Sequence, residues 1–183
     1  MSAVELYSEA LGVENLTTLD PDGAATLGLS AADHEVLVEV GLPLTAGPVF
    51  AFEVDGEPDT FTTQRMTAAD GTENLALFIG GHRDRPELRY FLDVGNGCVV
   101  LCSLDEQRPV FEVVNSSLTV FVEFLLRFAV YYEKESATVA EDLESVAELA
   151  ALLHGQDPYS VRNSGTWWAR VLEGLRSALV AED

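Results

Sequence analysis

The chain has 183 residues, 48% of them hydrophobic, with a mean hydropathy of +0.14, which fits one globular domain with a substantial core and excludes extended disorder. Thirty-one acidic residues against ten basic ones leave a formal net charge of -21 and a pI near 4.2. A surface of that sign repels nucleic acid and anionic lipid and steers basic proteins toward itself, unless it serves solubility alone.

No Lys or Arg precedes Arg65, whereas acids such as Glu14, Asp20, Asp33, Glu53 and Asp59 do. Glu123 and Arg127 interrupt the longest apolar run, so nothing reaches the roughly 20 residues that span a bilayer. The stretch from Met1 to Leu6 lacks the basic start and apolar core of a signal peptide, and a cytoplasmic location is expected. Cys98 and Cys102, four residues apart in one predicted strand, would be roughly 13 Å apart, too far for a disulfide. Without a third ligand nearby they read as small apolar residues on one face of a sheet.

Residues 2–12 place Val4, Tyr7 and Leu11 at helical spacing before Gly12, predicting a short first helix. Leu16 to Leu19 runs into Asp20-Pro21-Asp22-Gly23, which reads as a turn because the later ligands of a calcium loop are missing. Ser30 and Asp33 resemble a cap and first turn, with a short helix from His34 to Val40 stopped by Gly41.

From residue 47 the period changes to that of strands. Pro48 to Val54 reads as one strand, Asp55 to Asp59 as an acidic turn, and Phe61 to Met66 as a second strand. Further strands are predicted from Leu75 to Ile79, Leu88 to Val94, Cys98 to Leu104 and Val110 to Val114. Gly95-Asn96-Gly97 suits a hairpin turn, since both residue types tolerate positive φ. Short connections without intervening helices imply an antiparallel meander.

Asn115, Ser116 and Ser117 carry side-chain oxygens able to cap a helix, and apolar residues then recur at 118, 121, 122, 125, 128, 129 and 132. Val120, Phe124, Leu126 and Val130 make the other side apolar too, so this helix is predicted to be buried on most sides, with the rest of the chain packed around it. Val139 to Leu153 forms a further helix, stopped by His154-Gly155. Asp157-Pro158 starts a turn, and an amphipathic last helix runs from Trp167 to Leu179, with one tryptophan toward the core and the other at its rim.

The succession Phe78-Ile79-Gly80-Gly81, then Tyr90 to Asp93 with its Gly-Asn-Gly turn, then Phe111 to Leu118 opening a long helix, resembles the SUKH superfamily of bacterial immunity proteins. Asp157-Pro158 and Trp167-Trp168 before the final helix are similar to its fourth immunity branch. The likeness covers roughly residues 45 to 180 and rests on order and spacing together. It implies an α+β fold, an antiparallel meandering β-sheet packed against helices, and a cognate toxin as partner. One SUKH-like domain is expected over 1–183, made of an acidic N-terminal region over 1–45, a sheet over 46–115 and C-terminal helices over 116–183.

An enzyme would use His82-Arg83-Asp84-Arg85, with His and Asp as base and partner and the arginines holding an anion. Adjacent residues in a polar loop before Pro86 are more simply a solvated turn. His34 and His154 are isolated, and no Gly-x-Ser-x-Gly, phosphate loop or zinc-spaced His/Cys cluster occurs. No catalytic, cofactor-binding or metal-ligating residue is therefore assigned, and no cofactor is expected. The expected function is neutralisation of a cognate toxin domain by direct binding, without catalysis. The acidic excess points to a basic toxin of the nuclease or nucleic-acid deaminase kind, with Glu53, Asp55, Glu57 and Asp59 forming part of the contact; neither nucleic acid nor membrane is an expected partner. The alternative is an intracellular regulatory adaptor on the same scaffold.

Overall fold

The computed structural model describes residues 12–56, 58–67, 71–104, 109–133 and 138–181. The helix expected before Gly12 and the loop around Lys134 lie outside the described residues.

Where a turn is expected at Asp20 to Gly23, the chain starts a helix, α1 (Pro21–Thr26). The Asp20 carboxylate accepts a hydrogen bond from the Gly23 N–H at 3.0 Å, and Pro21 supplies the fixed φ of a first helical residue. Turn and helix start use the same residues here, and the alanines that follow carry the helix on. Ser30 then caps α2 (Ala31–Glu35), accepting from the Asp33 N–H at 3.1 Å. This helix runs on as a π-helical turn, Val36–Val40, and stops at Gly41, whose φ of 84° suits glycine. A two-residue strand, β1 (Leu16–Thr17), pairs antiparallel with β2 (Leu42–Pro43).

Among the described residues the main sheet has seven strands: β3 (Thr45–Ala46), β4 (Phe50–Ala51), β5 (Thr63–Thr67), β6 (Glu73–His82), β7 (Arg85–Asp93), β8 (Val99–Ser103) and β9 (Val110–Asn115). Their order is β3-β4-β6-β7-β8-β9, with β5 also on β6, and every pairing is antiparallel. This is the α+β meander the patterning predicts, with adjusted strand bounds. The expected strand over 48–54 shrinks to Phe50–Ala51, because residues 47–49 turn β3 back onto β4 and the chain bends off the sheet from Phe52. Conversely β6 extends through Gly80 and Gly81 to His82, with register shifts at both ends of that segment. Cys98 precedes β8 and is half-buried, while Cys102 lies within it and is buried; both thiols are free.

Alternation along the strands separates two faces. Leu77, Ile79, Leu88, Tyr90, Leu92, Leu101 and Val114 enter the main core. They meet α3 (Leu118–Glu133), in which Leu118, Phe121, Val122, Phe124, Leu125, Leu126, Phe128 and Ala129 are all buried. That helix is thus buried on most of its circumference, as its composition predicts, except toward its end, where Val130 and Tyr132 are exposed. α4 (Val139–Gln156), capped by Thr138, contributes Val146, Leu149 and Leu153, and passes His154 and Gly155 before ending at Asp157. The last helix, α5 (Trp167–Ala181), buries both of its tryptophans rather than one. Trp167 meets the sheet through Tyr90 and His82, whereas Trp168 lies against Phe124 and Phe128 of α3. The start of α5 is wedged between sheet and helix, so adjacent residues both find apolar partners. Among the described residues no helix is long and apolar enough to cross a membrane.

Candidate partner-binding surface

The acidic segment begins where β4 releases the chain. Phe52 N–H donates to the Leu44 carbonyl at 2.9 Å, and eight residues later the Thr60 hydroxyl donates back to the Phe52 carbonyl at 2.6 Å, closing a loop. The rings of Phe52 and Phe61 meet edge to face at 5.2 Å beneath it. Phe61 adopts φ 66°, a left-handed conformation uncommon for an aromatic residue, and its N–H donates to the Phe78 carbonyl at 2.8 Å. This backbone bond over-determines the bend and ties the loop to β6.

A second tie comes from the outer face of the sheet, away from the helices. There Ala76, Phe78, Phe91 and Cys102 form a small buried cluster, packed by Val54 and Met66. Arg89, on the same face of β7, lies over the Phe78 ring with its guanidinium carbon 5.5 Å from the centroid. Its Nη2 donates to the Asp55 carbonyl at 2.7 Å, while Nε and Nη1 make no hydrogen bond among the described residues. Gly81 permits the close approach of the loop: a Cβ there would lie 2.9 Å from a Val54 methyl. Held this way, the loop presents Glu53, Asp55 and Asp59 exposed to solvent. Glu57 lies outside the described residues. A cleft of about 780 Å³ opens between the loop and the β6–β7 turn, lined among others by Glu53, Asp55, Asp59, Arg83 and Pro86.

The other sequence candidates are distributed differently. His82 is no part of a solvated turn: it ends β6, is buried, and meets the Trp167 ring edge to face at 5.9 Å. Its Nδ1 accepts from the backbone N–H of Asp84 at 3.2 Å, so the neighbouring acid contributes an amide and not its carboxylate. Burial first, and Arg85 next, push the imidazole below its ordinary value. Arg83, Asp84 and Arg85 are exposed. Among the described residues no group of three His, Cys, Asp or Glu side chains could hold a metal ion.

Asn115 and Ser116 do not cap α3. The cap is Ser117, whose Oγ accepts from the Val120 N–H at 3.3 Å. Asn115 turns inward, accepting from Trp168 Nε1 at 2.8 Å and donating to Ser160 Oγ at 3.1 Å. Ser116 donates its N–H and hydroxyl to Asp157 Oδ2, at 3.1 and 3.3 Å. Burial raises the Asp157 carboxyl, but hydrogen bonding with Ser160, Ser116 and Asn115 outweighs it and holds the group below its ordinary value. The triplet is thus a structural latch.

Arg89 and the outer-face cluster carry no motif of their own in the sequence. Their available signal was the period-two spacing of Arg89, Phe91 and Asp93 on a strand apolar on both sides, which predicts a second covered face.

A family model described as SUKH-4 immunity protein matches residues 4–174. No curated protein and no solved structure matches the chain.

Proposed function

The chain belongs to the SUKH-4 immunity protein family, and from that premise we propose that it neutralises a cognate toxin domain by direct stoichiometric binding, without catalysis. The observation that carries this reading is the acidic loop, whose backbone is pinned by Arg89, Thr60 and Phe61 while Glu53, Asp55 and Asp59 stay exposed to solvent. Pinning lowers the entropy lost on association, and carboxylates on a chain of net charge -21 draw in a cationic partner. The partner is then a basic toxin acting on nucleic acid, as a nuclease or deaminase, and the encounter takes place in the cytoplasm. Absence of catalysis is supported by His82, whose ring is buried against Trp167 and whose Nδ1 is engaged by a backbone amide.

The test is co-expression with the toxin encoded beside this chain, with rescue of growth and a co-purifying complex as the expected result. Failure to bind any neighbouring toxin would overturn the proposal. Replacing Glu53, Asp55, Glu57 and Asp59 together by Ser should slow association and flatten its salt dependence; an unchanged on-rate removes this loop from the contact.

A further inference from the structure

The acidic loop covers only part of the outer sheet face. Beside it the face opens into a groove of about 390 Å³ over Met66, Ala76, Phe91, Val100 and Phe111. Phe111 is 47% exposed and Val113, two residues on along the same edge strand, is 62% exposed. The intervening Glu112 points to the helix side, where it accepts from the Trp167 N–H at 2.6 Å and pairs with Arg170 at 2.9 Å. The apolar residues of β9 that face outward therefore serve no contact of the main core. At the polar wall of the groove, Asp93 is already engaged by Asn74 at 2.9 Å and by the Asn96 amide at 2.8 Å. Apart from Thr67 and Asn74 at that wall, what the groove offers a guest is its apolar floor.

The occupant follows from charge. A second copy of this chain would bring together two bodies each of net charge -21, which mutual repulsion opposes. A cationic protein meets no such barrier. Ala76 and Phe91 belong both to the groove and to the cluster on which Val54 anchors the acidic loop, so groove and loop form one continuous surface. We propose that the groove receives an apolar or aromatic side chain projecting from the basic toxin domain, with lysines and arginines around that anchor meeting Glu53, Asp55 and Asp59. An apolar centre with a charged rim is the usual division of labour at a tight interface, the centre setting dissociation and the rim association. This inference rests on the immunity reading and adds where, and through what chemistry, the partner is gripped.

Two variants test it, Phe111→Asp and Met66→Glu, at an exposed and a half-buried position on opposite sides of the groove. Each is expected to weaken toxin binding on the order of 10- to 100-fold, mainly through faster dissociation. Melting temperatures close to that of the parent protein establish that both variants fold. If the parent binds toxin and both folded variants bind within about twofold of it, the groove proposal falls and the immunity reading stands. If the parent binds no toxin, the reading itself fails before any variant is needed. A parent dimer that Phe111→Asp dissociates would assign the groove to a second copy and overturn the proposal.

Discussion

Trp168 donates its indole N–H to the side-chain oxygen of Asn115 at 2.8 Å, across 53 residues of chain, with both residues buried. The same amide reaches Ser160, which in turn donates to the Val114 carbonyl at 2.6 Å. The end of β9, the turn after α4 and the start of α5 are thereby locked together. Asn115→Ala is expected to cost about 2–3 kcal/mol, because it strands a buried indole N–H as well as removing bonds. In urea unfolding, Asn115→Ala and Trp168→Phe should be coupled by about 1 kcal/mol; additive effects would show that the bond contributes nothing of its own.

His82 gives the fold a pH dependence whose sign is set by its burial. The folded state favours the neutral ring, while the unfolded chain takes up a proton near the ordinary value of 6.5. Its stabilising contribution is accordingly complete above about that pH and is lost as pH falls below it. His82→Gln keeps an acceptor for the Asp84 amide and removes the titration. Chemical unfolding at pH 8 and pH 5.5 should show the parent losing stability relative to this variant on acidification. Taking the difference cancels the relief of self-repulsion that acid brings to so negative a chain. Parallel pH profiles would exclude His82 as the source.

Arg89 is charged, buried and only partly hydrogen-bonded, so its global contribution is small and its local one large. Arg89→Met should leave the unfolding free energy within about 1 kcal/mol of the parent or raise it. Loss of the bond to the Asp55 carbonyl should at the same time speed amide exchange near residues 53–56 by roughly tenfold, the equivalent of a bond to a charged group. Exchange unchanged in that segment would mean that Thr60 and Phe61 alone hold the loop.

Much of the architecture is written in neighbouring residues. Alternating β-branched and aromatic residues separated by Gly95-Asn96-Gly97 encode the meander, and the run from Leu118 to Tyr132 encodes a helix buried on most sides, because strand and helix periods depend on residues two to four positions apart. Caps at Ser30 and Thr138 are equally local. Family membership was legible too, since it lies in the order of these elements. Local chemistry was ambiguous where two structures share it: Asp20-Pro21 serves a turn and a helix start alike, and three consecutive polar residues at 115–117 offered three caps where one was used.

Tertiary structure alone decided the rest. It turned Asn115 and Ser116 away from the helix end toward Asp157, Ser160 and Trp168, buried both tryptophans, and drew His82 into the fold. It also set Arg89 beneath a loop 34 residues earlier and laid acidic loop and apolar groove side by side on one sheet face. Composition announced the charge, but only strand pairing determines which carboxylates share a surface with which apolar side chains. Such pairings form between residues tens of positions apart, where no sequence period reaches and burial of the whole core determines which groups meet.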